Sequence, residues 1–216
     1  MKIINFSENP SIITHYLAQL RNVEVQKDSM RFRENIKRIS FCMAYEISKH
    51  LNYHHTKIQS PLAEAEADVL AEKPVIAFVL RAGLAMHSGF LDAFDEADHC
   101  FVSAYRDEGN IETIRAHVEY LASPDLTGRT VLLIDPMLAT GSSLVGGYAA
   151  LLKRGEPKEL HVACIVAAPQ GIETLKRDMP KIDSLWIASI DKGLNEHAYI
   201  VPGLGDAGDL AFGEKV

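Results

Sequence analysis

The stretch Thr130-Val131-Leu132-Leu133-Ile134-Asp135 runs directly into Pro136-Met137-Leu138-Ala139-Thr140-Gly141-Ser142-Ser143 and then into an apolar segment. A β-branched run closed by a carboxylate, followed by a turn of hydroxyls and glycine, has the pattern of a strand feeding a helix. The first amides of a helix are unpaired and carry partial positive charge, which suits a phosphate. Gly141 would let the backbone come close, and Thr140, Ser142 and Ser143 would add hydroxyl donors. Asp135 would face hydroxyl groups attached to that phosphate. Taken alone, the loop reads equally as an ordinary connection with a serine N-cap. Two other chemistries are excluded. A P-loop needs Gly-x4-Gly-Lys-Ser/Thr, and no lysine follows Gly141 until Lys153. A nucleophile elbow needs Gly-x-Ser-x-Gly, and Val145 stands two residues after Ser143.

Further candidates sit where other apolar runs end. Val79-Leu80 leads to Arg81, Ala82 and Gly83, and Ala104-Tyr105 leads to Arg106. Two arginines converging on a phosphate seat can grip a polyanion with bidentate hydrogen bonds. Near the C-terminus, Gly203-Leu204-Gly205-Asp206-Ala207-Gly208 formally matches Gly-x-Gly-x-x-Gly, but only eight residues follow Gly208. That is too little chain for the helix, strand and acid of a dinucleotide site. The apolar anchors Tyr199-Ile200-Val201-Pro202 and Leu210-Ala211-Phe212 around these glycines favour an ordered loop that a ligand approaches closely.

The elements that must position these residues alternate. Strands are expected at 75–80, 99–105, 130–135, 160–168 and 184–190, with helices at 84–94, 144–154 and 171–177. Continuous apolar strands belong to sheets covered on both faces, so the pattern predicts a doubly wound α/β fold with its ligands at the carboxyl ends of the strands. Upstream, Phe32, Ile36, Ile39, Met43 and Ile47 form one face of a helix spanning 28–51, capped by Asp28 or Ser29. Its Arg31, Arg33, Lys37 and Arg38 read as a solvated face. An alanine- and glutamate-rich helical stretch is expected at 62–70. Clustered charges and the alternating HVEYL run between Tyr105 and Leu121 suggest a hairpin flap.

Composition bounds the rest. With 216 residues, 47% apolar and 24% charged, the chain can bury one substantial core. A formal charge of −7 gives no global basic footprint, so neither nucleic acid nor membrane is expected as a partner. The N-terminus lacks the apolar core of a signal peptide, and a cytoplasmic location is expected. Cys42, Cys100 and Cys164 read as reduced core residues, and His54-His55, within NYHHTK, as solvated surface rather than a zinc site.

The segments LRAGL (80–84), YR (105–106), DPMLATGSS (135–143), AAPQGI (167–172) and SIDKGLNEHAYIVPGLGDAGDLAFG (189–213) closely resemble uracil phosphoribosyltransferases, with RFRE and AYE in the long helix as a weaker echo. The resemblance implies a type I phosphoribosyltransferase fold: a parallel sheet flanked by helices, with a C-terminal hood and the β-hairpin flap. It implies one domain over 1–216, with a helical N-terminal part over about 1–72, a core over about 73–190 and a hood with the uracil-binding segment over about 191–216. The implied reaction transfers ribose 5-phosphate from 5-phosphoribosyl 1-diphosphate to N1 of uracil, giving UMP and diphosphate. Asp135, Pro136, Met137, Leu138, Ala139, Thr140, Gly141, Ser142 and Ser143 would hold the ribose hydroxyls and 5′-phosphate, and Arg81 and Arg106 the diphosphate. Ile200, Gly205, Asp206 and Ala207 would bind uracil, with Asp206 also facing the donor. Asp206 and Arg106 are the expected catalytic residues. Mg²⁺ is expected to arrive with the donor, without direct protein ligands. GTP activation and a homodimer or homotetramer are further family expectations.

This chain departs from the family at two points. A loop that commonly reads TGGS reads Thr140-Gly141-Ser142-Ser143, and RNEET after Tyr105 reads Arg106-Asp107-Glu108-Gly109-Asn110. Three alternatives stand beside this reading: a regulatory relative, an enzyme of the same fold acting on a purine base or orotate, and a non-catalytic scaffold for which the matched loops would be decoration. A regulatory relative that binds RNA is disfavoured by the acidic total. An orotate enzyme would want a cation near the base, and the segment from Tyr199 to Phe212 has none.

Overall fold

The computed structural model describes residues 1–106 and 116–215. The chain starts with strand β1 (Lys2–Asn5) and helix α1 (Ile12–Arg21). Ser11 and Thr14 close a capping box at the start of α1, whose Ile13, Leu17 and Leu20 point inward. Helix α2 (Ser29–Ser48) is capped by Asp28, whose carboxylate accepts the Arg31 N–H at 3.1 Å, and the expected stripe of Phe32, Ile36, Ile39, Met43 and Ile47 is buried.

The basic residues of α2 are not simply solvated. Lys37 pairs with Asp92 at 2.8 Å, and Arg38 lies over the Tyr16 ring, 5.3 Å from its centre. Arg33 donates to the Ala211 carbonyl at 2.7 Å, and Arg31 is exposed. Long basic stems cover apolar surface while their heads find partners that a helix-face pattern cannot show.

The helix expected at 62–70 is a strand. Strands β2 (Tyr53–Gln59) and β3 (Glu64–Leu70) form a separate antiparallel hairpin. Cross-strand charge pairs, Lys57 with Glu64 at 2.7 Å and His55 with Asp68 at 2.9 Å, add to a full backbone ladder and override the helical propensity of alanine and glutamate.

The main sheet contains β4 (Val75–Leu80), β5 (Asp98–Arg106), β6 (Ala116–Ala122), β7 (Thr130–Ile134), the short β8 (Met137–Leu138), β9 (Glu159–Ala167) and β10 (Ser184–Ile190). Its order is β1-β10-β9-β7-β4-β5-β6, parallel from β1 to β5 with β6 antiparallel at the edge. Helices α3 (Gly83–Ala93), α4 (Ser142–Leu151) and α5 (Pro169–Asp178) are the crossovers. Alternate strand residues feed two cores. Ile76, Phe78, Leu132, Ile134 and Ile165 pack with α1, α2 and α3, while Val75, Ala77, Leu133, Val162 and Cys164 pack with α4 and α5. Burial on both faces is why these strands are continuous apolar runs. The chain ends in a hood of β11 (Gly193–Leu194), β12 (Ile200–Val201) and α6 (Ala207–Phe212).

Candidate active site

Because β4, β5, β7, β9 and β10 run in parallel, the residues after them share one edge of the sheet: Arg81, the end of β5 at Arg106, Asp135, Ala168 and Asp191. The turn after β7 is held down before it becomes a helix. The Pro136 carbonyl accepts the N–H groups of Ile165 at 3.1 Å and Val166 at 3.0 Å, and β8 pairs with β9 through Met137 and Leu138. Asp135 is buried, with its carboxylate accepting the Met137 N–H at 3.3 Å. Pairing to β9 thus fixes 135–138, and the turn proper is Ala139-Thr140-Gly141.

Gly141 has a φ of 89°, a left-handed conformation in which it serves as N-cap of α4 without offering a side chain. Gly141 itself supplies no capping side chain, as at α3 and α5, and the Thr140 hydroxyl accepts the Ser142 N–H at 3.4 Å. Thr140 and Ser142 approach each other, Oγ to Oγ at 3.0 Å, so their hydroxyls flank the first turn, with Ser143 following. Amides at such a helix N-terminus can receive an anion.

On the other side of the edge lies the hood. The Val201–Pro202 peptide is cis, and Gly203 follows with a φ of 58°, where a Cβ would overlap the Ile200 carbonyl oxygen. Ile200 is buried, Gly205 is again left-handed at 88°, and Asp206 caps α6 by accepting the Asp209 N–H at 3.0 Å. Ala139 of the turn belongs to the same apolar cluster as Ile200, Leu204 and Ala207. Residues far apart in sequence and expected to bind the donor and the base are therefore anchored in one core cluster.

Arg81, after a cis Leu80–Arg81 peptide, reaches the hood while its side chain stays partly exposed. Its Nη2 lies 2.6 Å from the Asp209 carboxylate and its Nη1 donates to the Gly213 carbonyl at 3.1 Å. A Cβ at Gly208 would touch both Asp206 Oδ1 (3.2 Å) and Arg81 Nη2 (3.6 Å), so Arg81 and Asp206 converge there. Of the hairpin flap expected between Tyr105 and Leu121, β5 and β6 pair antiparallel, while the Arg106 side chain and residues 107–115 lie outside the described residues.

Sequence reading missed Arg21, Gln26, Arg33, Asp191 and Asp209, all of which contact hood residues. Asp191 and Asp209 lie within the matched 189–213 segment, but nothing in their spacing revealed their partners. Among the described residues no three His, Cys, Asp or Glu side chains could hold a metal ion, and none of the helices is long and apolar enough to cross a membrane. Burial raises the thiol pKa of Cys164, as does the nearby Asp135 charge, and burial likewise raises those of Cys42 and Cys100. All three are therefore poor nucleophiles.

Among known proteins, this chain is 46% identical over 216 residues to a uracil phosphoribosyltransferase of Porphyromonas gingivalis, covering 100% of both chains. A solved structure of the AQ2163 protein from Aquifex aeolicus superposes with a TM-score of 0.88 at 28% identity, covering 99% of both chains. A hypoxanthine-guanine phosphoribosyltransferase from Bacillus anthracis shares the fold, with a TM-score of 0.52 at 14% identity over 76% of this chain and 82% of that one. A model of the uracil phosphoribosyltransferase family matches residues 7–214, and the chain belongs to that family.

Proposed function

We infer that this transferase, which forms UMP and diphosphate from uracil and 5-phosphoribosyl 1-diphosphate in pyrimidine salvage, works by aligning donor and base between the α4 turn and the hood. The observation that carries this reading is the convergence of Arg81, at the end of β4, with Asp206, on the hood loop.

The 5′-phosphate sits on the first turn of α4, receiving amides and the Thr140, Ser142 and Ser143 hydroxyls, while Asp135 accepts from the ribose hydroxyls. Arg81 and Arg106 take the diphosphate. Uracil is a neutral ring with alternating donors and acceptors, and the backbone groups of Ile200, Gly205, Asp206 and Ala207 can read that edge because small residues leave it open. In the reaction the bond from C1′ to the diphosphate oxygen breaks, the N1–C1′ bond forms and the N1 proton leaves. Charge grows on the departing diphosphate, so preorganised cations and amides outweigh covalent chemistry. Mg²⁺ prefers several oxygens of water and phosphate; it would come with the donor and would supply neutralisation of the diphosphate charge. Asp206, whose carboxylate is oriented by the Asp209 N–H, is the acceptor for the N1 proton.

Steady-state kinetics test the division of roles. Thr140→Ala should raise KM for the donor and leave KM for uracil near its original value, and Ala207→Val should do the reverse. Asp206→Asn should lower kcat and flatten its pH profile; unchanged turnover and profile would remove the proton-acceptor role. Family membership also supports activation by GTP, assembly as a homodimer or homotetramer and a cytoplasmic location. Addition of GTP to the full chain and sedimentation test the first two.

A further inference from the structure

Asp191, the residue after β10, is the most heavily engaged carboxylate beside the hood. Its side chain is 2% exposed. Arg21, the last residue of α1, donates to it through both terminal nitrogens, at 2.9 and 2.5 Å. Ser189 Oγ donates to it at 3.0 Å, and the Gly203 N–H at 2.8 Å. The same Arg21 reaches back to the Gly203 carbonyl at 3.4 Å. Both backbone groups of Gly203 are thus held by one ion pair, at the left-handed residue that turns the chain into Leu204-Gly205-Asp206-Ala207. Two further N-terminal side chains hold backbone carbonyls of this segment: Gln26 that of Leu204 at 3.4 Å and Arg33 that of Ala211 at 2.7 Å.

A buried ion pair gains little stability over well-packed apolar residues, because desolvation offsets the attraction. A backbone-read site, however, needs its amides and carbonyls fixed within a fraction of an ångström, and a loop with glycines at 203, 205 and 208 has little stiffness of its own. We propose that Arg21 and Asp191 are positioning residues for base recognition: the pair locks the Gly203 turn, and the locked turn presents the backbone of Gly205–Ala207 to uracil. Neither side chain touches the reacting atoms. The proposal rests on the reading of Gly205–Ala207 as the uracil loop. It gives the N-terminal helices a part in base selectivity without a contact to the base.

The test uses full-length Arg21→Lys and Asp191→Asn enzymes, well below their unfolding midpoints. Lysine keeps a cation at a side chain 21% exposed while losing the bidentate grip, so a folded variant is in hand even if Asp191→Asn is damaged. Loss of one charge-assisted hydrogen bond at the loop should raise KM for uracil about tenfold or more, with KM for the donor changing by less than about twofold. Amide hydrogen exchange at 204–208, measured with and without UMP, supplies the second readout. UMP should protect these amides in the unaltered enzyme, and each variant should show faster exchange there without UMP. Folded variants with unchanged uracil KM and exchange would overturn the proposal. So would equal rises in both KM values, which mark general damage. Absence of UMP protection in the unaltered enzyme would instead overturn the uracil-loop reading beneath it.

Discussion

Gly203 carries more constraint than any other glycine of the hood. It lies at a φ of 58° with the Ile200 carbonyl oxygen where a Cβ would be, and both its backbone groups are bonded. Gly203→Ala therefore faces an unfavourable left-handed backbone and an overlap at once, and should cost at least about 2 kcal/mol in chemical denaturation, with loss of uracil binding. Arg81 leads to the opposite expectation. Its ion pair with Asp209 is between side chains 38% and 32% exposed, a pair worth up to about 1 kcal/mol, and a diphosphate must compete with that carboxylate for the guanidinium. Asp209→Asn should lower KM for the donor by up to about fivefold, measured by initial rates at saturating uracil; a rise would mean that Asp209 positions Arg81 instead of competing for it. The sequence displayed Asp135, Thr140, Gly141 and Asp206 through local motifs. It hid the Arg21–Asp191 pair, whose members are 170 positions apart, because ion-pair partners leave no periodic or local trace.

Elements were legible where burial imposes a pattern. The five central strands and the stripe on α2 were visible because one or both faces are dry. Short edge elements were not: β1 has four residues and takes its place from pairing with β10, and β11 and β12 have two each. Strand β3 reads as helix by composition, because alanine and glutamate favour helices, although Glu64, Glu66 and Asp68 alternate with the half-buried Ala65 and Ala67; β2 is mostly exposed and shows no such pattern. Among the described residues the β2–β3 hairpin pairs with no other strand, and Ile58 and Leu62 are exposed on it. A lone two-stranded ribbon is marginal in water, and the expected oligomer offers a surface to hold it. Ile58→Glu with Leu62→Glu should shift sedimentation of the full chain toward the monomer; an unchanged oligomer would place the contact elsewhere.

Across the whole molecule, two buried or half-buried histidines, His161 in β9 and His87 in α3, tie stability to pH. His161, at the start of β9, is depressed below its ordinary 6.5 chiefly by burial, against opposing pulls from Glu159 and Asp183; its Nδ1 and the Ser184 hydroxyl lie 2.7 Å apart. His87 is likewise lowered by burial and by His99. The unfolded chain takes these protons first, so the stability they contribute is present above 6.5 and lost as pH falls through the depressed folded values. Melting temperature should drop over that window, and His161→Asn, which can keep the Ser184 hydrogen bond, should flatten the drop. Whether the α4 turn selects the phosphoribosyl donor and the hood selects the base is decided by a product assay. The purified chain is incubated with Mg²⁺, 5-phosphoribosyl 1-diphosphate and, separately, uracil, cytosine, orotate, hypoxanthine and adenine, and the nucleotides are separated by chromatography. The account predicts UMP from uracil and no nucleotide from the other four; a nucleotide from any of those, or none from uracil with and without GTP, would contradict it.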